Sequence, residues 1–380
     1  MHKKQILHVV SQLPEKYNSK FIQFSESELS DYEHTYIVLV SAHGNNQGCN
    51  DDADNIIYLK KTTPGSKVIQ LISYLLSSQY DLVIFHGLFY QGPLLALLAV
   101  LIRFTQLAQR TLWMTWGGDI YYFQNRPNTF SAFLNEYLRK SIIKKLFFIS
   151  SLIPDELELI KINYQSNAAH LSAFYPNPTI YNDISSKVAQ KYDDNKLTFL
   201  LGNSADPQNN HLNLLASLAH LKGSIKIHCI LSYAIVDKAY VERVKSMGLE
   251  LFGEDFLPIE NFMKPAEYQI FISGIDFACY YHNRQQAMGN IFQFLHMGKT
   301  VFLRQDTLSF LFLQQHGLDL QDSAQLGKTD LTELKRLKQH NADNIQKSRN
   351  IIQQYFSEPA AKLKWQIALN RVFSLLKKTK

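Results

Sequence analysis

The sequence predicts an α/β protein built from two doubly wound, Rossmann-like domains that face one cleft. Short runs of β-branched and aromatic residues alternate with amphipathic segments, as in parallel sheets made of βαβ units. This alternation stops in a polar stretch and then starts again, which indicates a second domain. The length of 380 residues is also typical of two domains.

The first domain is predicted to span residues 1–178. From Ser66 to Ser78 the apolar residues recur at spacings of three and four, which predicts a helix, and another helix opens at Gly92 and Pro93. The N-terminal apolar run ends at Val10, so we interpret it as a first strand rather than as a secretory signal. Strands are predicted at residues 5–10, 35–42, 55–59, 81–86, 110–116, 145–150 and 169–175.

A stretch rich in Pro, Asn, Asp and Lys forms the predicted linker, residues 179–196. The second domain, residues 197–345, repeats the alternation of strands and helices, and residues 346–380 are predicted to form a C-terminal helical segment. Its strands are predicted at residues 197–202, 224–231, 249–252, 275–281 and 299–304, and its helices at 208–221, 236–247, 265–273 and 285–297.

The composition excludes several classes of protein. With 39 Lys and Arg against 33 Asp and Glu, the net charge of +6 is too small for a dedicated nucleic-acid binder. Cys49, Cys229 and Cys279 are far apart and lack a partner at metal-ligand spacing, so we expect no metal site and a reduced, cytoplasmic compartment. The longest apolar run, residues 94–102, is about half of the roughly 20 residues that a membrane-spanning helix needs.

A polar loop follows the first predicted strand of the second domain. It begins with Gly202, Asn203 and Ser204 and leads into a helix near Asn210 and His211. Such a loop lies at the carboxyl edge of a parallel sheet, where open α/β domains bind ligands, and its N–H groups would suit a phosphate. An Asn-rich connection that serves only the turn geometry would explain the same residues.

Arg284 follows a later strand of this domain and precedes a helix that contains Gly289. A guanidinium there could hold a diphosphate through two hydrogen bonds, assisted by the positive end of the helix. A glycine inside a helix costs about 1 kcal/mol relative to alanine, which a closely packed ligand would explain. In the alternative interpretation Arg284 is a solvated surface charge and Gly289 is a helix-packing contact.

Two strand ends of the first domain also carry polar residues. His86 and Gly87 directly follow one strand, and Trp116, Gly117 and Asp119 follow the next. Both strand ends lie at the same sheet edge, so they are expected to face the same cleft. Asp119 is the first candidate for a catalytic group and His86 the second. The alternatives are a turn or capping role for Asp119 and a structural role for His86.

Together these segments resemble the bacterial 4-acetamido-4,6-dideoxygalactose (Fuc4NAc) transferases of enterobacterial common antigen synthesis, the TDP-Fuc4NAc:lipid II or 4-alpha-L-fucosyltransferase family. The matching stretches are LHVV, FHGLF, WGGDIY, GNSADPQNNH, GLELF, NRQQAMGN and HMGKTVFLR, in this order from the first strand to about residue 320. The sequence departs from the family pattern in site loops, so the sugars could differ; the departures are Gly118, Ala205, Ala287, Met288 and Asn290.

The resemblance implies a GT-B fold, a dTDP-sugar donor, a polyprenyl-diphosphate-linked saccharide acceptor and transfer with retention at the anomeric carbon. No cofactor is expected, and the leaving diphosphate would be stabilised without a metal ion by Arg284, by loop N–H groups and by the helix start. The acceptor would lie on the side of Gly87, Trp116 and Gly117, where Asp119 or His86 could orient its hydroxyl. The donor-binding residues would be Gly202, Asn203, Ser204, Asn210, His211, Arg284, Gln285, Gln286, Gly289 and Asn290.

A lipid-linked acceptor requires contact with a membrane. Residues 131–148 combine Arg139, Lys140, Lys144 and Lys145 with several apolar residues, as in a helix that lies on an anionic membrane surface. An ordinary core-facing helix with a basic solvent side is the alternative. We therefore expect a peripheral enzyme on the cytoplasmic face of the inner membrane.

Two other functions compete with this interpretation. One is a transferase of another nucleotide sugar onto lipopolysaccharide core or capsule. The other is a non-catalytic protein that closes on a sugar or a nucleotide, for which a secretion signal or an attached DNA-binding or output domain would be expected. The sequence shows neither of these features.

Overall fold

The computed structural model describes residues 3–10, 18–39, 54–59, 64–176, 196–233 and 237–378. The chain forms two compact units, one made of residues 1–176 and 358–380 and the other of residues 177–357. Almost all of the predicted linker, residues 179–195, lies outside the described residues, as does Cys49.

The first unit contains a sheet of seven described strands, all of which pair in parallel. The strands are β1 (Lys4–Val10), β2 (Tyr32–Val38), β3 (Ile56–Tyr58), β4 (Leu82–His86), β5 (Thr111–Met114), β6 (Phe148–Ser150) and β7 (Ala169–Leu171). Their order is β3-β2-β1-β4-β5-β6-β7. The chain moves outward from β1 to β3 and then returns to the other side of β1, so the topological switch point lies between β1 and β4.

Helices cover both faces of this sheet. They are α1 (Asn18–Glu28), α2 (Pro64–Leu76), α3 (Gly92–Phe104), α4 (Tyr122–Asn125), α5 (Phe130–Ile143), α6 (Glu156–Tyr164) and, from the far end of the chain, α14 (Glu358–Lys378). Leu7 and Val9 of β1 belong to a core that includes α2, α3 and α5, whereas Ile6 belongs to a second core with α1 and α14. Because both faces are buried, the strands read as continuous apolar runs.

The last helix, α14, completes the core of the first unit. Trp365 is fully buried, and its indole N–H donates to the carbonyl of Phe174 at 2.9 Å. Ala361, Leu369 and Val372 line the same buried side of the helix. The sequence analysis treated residues 346–380 as a segment of their own, whereas the contacts group residues 358–380 with the first unit.

The second unit contains a six-stranded parallel sheet of described strands in the order β10-β9-β8-β11-β12-β13. Its strands are β8 (Leu197–Leu201), β9 (Ile225–Ile230), β10 (Phe256–Ile259), β11 (Phe277–Cys279), β12 (Thr300–Leu303) and β13 (Gln321–Asp322). Its helices are α7 (His211–Leu218), α8 (Lys238–Phe252), α9 (Pro265–Ser273), α10 (Met288–His296), α11 (Leu308–Gln315), α12 (Leu331–Asp343) and α13 (Ile345–Phe356). The switch point lies between β8 and β11.

One predicted strand of the second unit is wrong. Residues 249–252 form the last turn of α8, and the strand lies further on, at β10. Gly248 lies inside α8, where the Phe256 ring packs against it. A Cβ atom there would lie 2.5 Å from the Phe256 ring.

Candidate functional site

In the second unit, the loop after β8 and the segment after β11 meet at the switch point. The side-chain amide of Asn210 donates to the carbonyl of Tyr281 at 2.8 Å, and that of Gln286 donates to Asn203 Oδ1 at 3.0 Å. The two segments that sequence reasoning selected therefore form one cluster at the carboxyl edge of this sheet, where doubly wound domains bind ligands.

Arg284 is half-buried in this cluster, with 13% of its side chain exposed, so it is not a solvated surface charge. Its Nη1 donates to the carbonyl of Gln285 at 3.0 Å, its Nε donates to the Gln208 side chain, and its Nη2 lies 3.4 Å from Asp206 Oδ2. A partly desolvated ion pair of this kind holds the guanidinium in a defined position. A diphosphate bound there would compete with the Asp206 carboxylate.

The backbone N–H groups at the start of the loop are occupied by the protein. Gly202 N–H donates to the carbonyl of Cys279 at 3.0 Å, and Asn203 N–H donates to Asn209 Oδ1 at 3.0 Å. The Asn209 amide in turn donates to the carbonyl and the hydroxyl of Ser204. The expectation that these two N–H groups would be available to a phosphate is therefore wrong, and Asn209 organises the loop instead.

Gly202 is required by its surroundings rather than by a phosphate. Its φ of +66° favours glycine, and a Cβ atom would lie 2.3 Å from His211 Nε2. His211 is fully buried, and its Nδ1 lies 3.1 Å from the Tyr240 hydroxyl. Burial lowers the pKa of His211 to about 4, so the ring is neutral near pH 7.

Sequence reasoning missed His282, which lies between the end of β11 and Arg284. The ring is fully buried, and neither of its nitrogens has a hydrogen-bond partner among the described residues. Burial and, to a smaller extent, the nearby charge of Arg284 lower its pKa to about 3. Buried polar atoms without partners are costly, so this position favours a group that can bond to them. The signal was present, because His282 stands in the same strand-end segment as Arg284.

Helix α10 begins later than predicted, at Met288 rather than at residue 285. Gln285 and Gln286 precede the helix, while Gly289 and Asn290 lie in its first turn. The N-cap residue, Ala287, has a positive φ of 59° and makes no side-chain capping bond.

In the first unit, Asp119 is a structural residue. Its Oδ2 accepts from the Trp113 indole at 2.8 Å and from Leu88 N–H at 3.0 Å, while Oδ1 accepts from the N–H groups of Trp116 at 2.9 Å and Ile120 at 3.1 Å. The carboxylate is fully buried and holds the segment after β4 against the segment after β5. The prediction that Asp119 acts on an acceptor hydroxyl is wrong, because all four bonds are to the protein itself.

The other residues selected in this unit lie beside that carboxylate. Gly87 and Gly117 both have positive φ, of 84° and 76°. A Cβ atom on Gly87 would lie 3.2 Å from Trp116, and the Trp116 ring lies 4.5 Å from the ring of Tyr175. His86 is buried and hydrogen-bonds to the Tyr175 hydroxyl, and burial lowers the pKa of His86 to about 3. Sequence reasoning missed Tyr175.

Arg139 does not belong to an exposed basic surface. Its side chain is 1% exposed, donates to the carbonyl of Leu88 and lies over the ring of Tyr122 at 4.4 Å. The prediction that Arg139 faces a membrane is therefore wrong. Lys144 and Lys145 are exposed, and Lys140 is half-buried.

The family model for 4-alpha-L-fucosyltransferases, glycosyltransferase group 56, matches residues 3–372. The chain belongs to this family. The match also extends past residue 320, where the sequence motifs ended, and so includes most of α14.

Solved structures share the fold of this glycosyltransferase. A glycosyltransferase from Rickettsia africae superposes with a TM-score of 0.69 at 15% identity, covering 99% of this chain and 100% of that one. HepE of Anabaena in complex with UDP-glucose superposes with a TM-score of 0.68 at 11% identity, covering 97% of this chain and 99% of that one. WaaG, a glycosyltransferase of lipopolysaccharide biosynthesis, superposes with a TM-score of 0.63 at 11% identity, covering 94% of this chain and 99% of that one. These similarities show that the fold is of the GT-B type, as predicted.

None of the described helices combines the length and the apolarity that crossing a lipid bilayer demands.

Replacing Asp119 by asparagine should destabilise the first unit. The amide nitrogen would face N–H donors, leaving two of them without an acceptor at about 1 to 3 kcal/mol each. We expect the melting temperature of that unit to fall by roughly 5 to 15 °C in calorimetry. Asp155→Asn, at the exposed N-cap residue of α6, whose side chain makes no capping hydrogen bond, should change it by about 1 °C or less. An Asp119→Asn protein with unchanged melting and selectively lost turnover would restore the catalytic assignment.

Proposed function

We propose that the protein transfers a deoxyamino sugar, Fuc4NAc or a close relative, from a dTDP-sugar to a polyprenyl-diphosphate-linked saccharide. The observation that supports this most is the family match over residues 3–372, together with a half-buried arginine at the switch point of the second unit. The HepE structure holds UDP-glucose, which supports a nucleotide sugar as the donor class. The process served would be the synthesis of a bacterial surface polysaccharide.

The donor binds in the second unit. Arg284 is the cation that meets the diphosphate, and Gln286 and Asn203 line the same edge. His282 and the Nε2 atom of His211 are buried polar groups without partners in the described part of the chain, and a bound donor or its water would satisfy them. The N–H groups of α10's first turn, at Gly289 and neighbouring Asn290, add positive potential at the helix start.

The transfer proceeds with retention on one face of the sugar. The acceptor oxygen forms its bond to the anomeric carbon while the bond to the diphosphate oxygen breaks, and the acceptor proton passes to that leaving oxygen. The guanidinium of Arg284 stabilises the negative charge that develops on the diphosphate. No protein base is needed in this scheme, which agrees with the structural role of Asp119 and with the low pKa of His86, which makes its ring a weak base.

The acceptor binds in the first unit, near Gly87, Trp116 and Gly117, and its lipid brings the protein to the cytoplasmic face of the inner membrane. Exposed aromatic and apolar side chains on α5 support peripheral contact with the membrane. Helix α3 packs on α5 and adds two more exposed apolar side chains. Lys140, Lys144 and Lys145 lie toward the end of α5 and just beyond it. The exposed side chains are Phe130, Phe133, Leu134 and Tyr137 of α5 and Val100 and Phe104 of α3.

Two variants of the Arg284–Asp206 ion pair test the donor site by calorimetry with dTDP, UDP and GDP. Arg284→Ala should raise the dissociation constant of dTDP about 10- to 100-fold, because a charged hydrogen bond contributes about 1.5 to 3 kcal/mol. Asp206→Asn keeps the cap of the following turn but removes a competing negative charge, so dTDP should bind equally or a few times more tightly.

The control for the donor site is Arg336→Ala, at an exposed surface ion pair on α12, which should leave binding unchanged. Equal dTDP affinity in folded Arg284→Ala and wild-type protein would refute the site. Tighter binding of UDP or GDP than of dTDP would instead favour a transferase of another nucleotide sugar.

Turnover should persist in EDTA, within about twofold of the untreated rate, because Arg284 supplies positive charge where the diphosphate would leave. The measurement is sugar transfer from dTDP-Fuc4NAc to the lipid-linked acceptor after exhaustive chelation. Loss of activity that Mg²⁺ or Mn²⁺ restores would contradict this expectation.

Membrane association should depend on both charge and exposed aromatic side chains. Reversing Lys140, Lys144 and Lys145 to glutamate should reduce flotation with phosphatidylglycerol vesicles by about tenfold or more, since each cation contributes roughly 1 kcal/mol. Phe133→Asp should have a similar effect at high salt, where screening weakens the charges.

The matched control is Ile162→Asp, which places the same charge at a comparably exposed apolar residue on α6 and should leave flotation unchanged. Unchanged flotation of both α5 variants would show that another surface meets the membrane.

A further inference from the structure

A chain of hydrogen bonds runs through three buried histidines of the first unit. His34 Nε2 lies 3.2 Å from the carbonyl of Leu29, and His34 Nδ1 lies 2.9 Å from His8 Nε2. His8 Nδ1 lies 2.9 Å from His86 Nε2, and His86 Nδ1 meets the hydroxyl of Tyr175. The chain therefore links three parallel strands, β2, β1 and β4, and ends at the switch point.

All three rings are neutral near pH 7. Their exposed fractions are 6% for His34, 1% for His8 and 2% for His86. Burial lowers the pKa of each ring, and at His34 the nearby Glu26 raises the pKa while Lys3 lowers it. A neutral imidazole carries one N–H donor and one acceptor nitrogen, so each ring donates to one neighbour in the chain and accepts from the other.

The carbonyl of Leu29 sets that direction, because a carbonyl oxygen can only accept. His34 must therefore carry its proton on Nε2, which leaves Nδ1 to accept from His8 Nε2–H. His8 Nδ1 then accepts from His86 Nε2–H. His86 Nδ1 is left as an acceptor, so the Tyr175 hydroxyl must donate its proton to it.

We propose that this chain orients the Tyr175 hydroxyl so that its oxygen accepts a hydrogen bond from a hydroxyl or N–H group of a bound ligand. Tyr175 is half-buried, in contrast to the buried histidines behind it, and its ring packs at 4.5 Å against Trp116, next to Gly87. The ligand is the saccharide acceptor, an assignment that rests on the proposed function. Tyr175 is then a binding residue, and His8, His34 and His86 are positioning residues.

The orientation of the chain is tested directly by the histidine tautomers. Long-range ¹H–¹⁵N correlation spectra of ¹⁵N-histidine-labelled protein at pH 7.5, assigned with single His→Gln variants, should show the proton on Nε2 of His8, His34 and His86. Tyr175→Phe should leave the tautomers of His8 and His34 unchanged, because the direction is set at Leu29. A proton on His86 Nδ1 in the wild-type protein would overturn the proposal.

The ligand contact is tested by kinetics with dTDP-Fuc4NAc and the polyprenyl-diphosphate-linked acceptor. Tyr175→Phe should lower kcat/KM for the acceptor about tenfold while the dissociation constant of dTDP stays unchanged, because the acceptor, and not dTDP, loses a hydrogen bond. Wild-type acceptor kinetics in folded Tyr175→Phe protein would overturn the contact.

Two substitutions at His34, remote from the ligand, test the positioning role. His34→Gln keeps an acceptor for His8 and a donor for Leu29, so acceptor kinetics should stay within about twofold of wild type. His34→Leu removes both groups, so part of His86 should move to the Nδ1–H tautomer and the acceptor KM should rise about two- to fivefold.

Equal acceptor KM values in the two His34 variants, at matched melting temperatures, would overturn the positioning role. If the wild-type protein does not transfer this sugar at all, the proposed function fails, and the tautomers still decide the orientation of the chain.

Discussion

The constraint on which the rest of the structure depends is that every described strand pair is parallel. All strands of a sheet then end at the same edge, and helices must cover both faces. Polar side chains are excluded from most of each sheet, so they gather where the strands end. At the switch points the neighbouring loops diverge and leave room for a ligand. Both candidate sites follow from this geometry, one in each unit.

Much of this could be predicted from the sequence, because apolar runs and polar strand ends are local signals. The alternation of elements gave two doubly wound units, and His86, Gly87, Trp116, Arg284 and the loop at residues 202–204 do lie at strand ends. The strand orders could not be predicted, since the pairing of β1 with β4 depends on contacts between distant parts of the chain. The strand wrongly predicted at residues 249–252 also reflects tertiary structure. Gly248 lies inside α8, where the ring of Phe256 packs against it, and this contact forms only in the folded unit.

The roles of charged residues were the least predictable. The sequence predicts a catalytic or turn acid at Asp119 and a membrane-facing base at Arg139, yet both are buried and both bind the segment after β4. Leu88 shows why, since its N–H donates to Asp119 and its carbonyl accepts from Arg139. The backbone N–H and carbonyl groups of this buried segment need hydrogen-bond partners. Asp119, after β5, and Arg139, on α5, supply them. A histidine inside an apolar strand, such as His8, is the signal that could have revealed the buried chain.

The return of α14 to the first unit has a consequence for the order of assembly during synthesis. The second unit is one continuous segment, so all of its strands are available before the last helix is translated. The first unit begins earlier but lacks Trp365 and its neighbours until the second unit has been made. Until then the ring of Phe21 lacks its contact with the ring of Trp365, 5.3 Å away in the folded unit. The unit that starts first is therefore the unit that is completed last, and a ribosome stalled late in the message would leave its hydrophobic face open to chaperones.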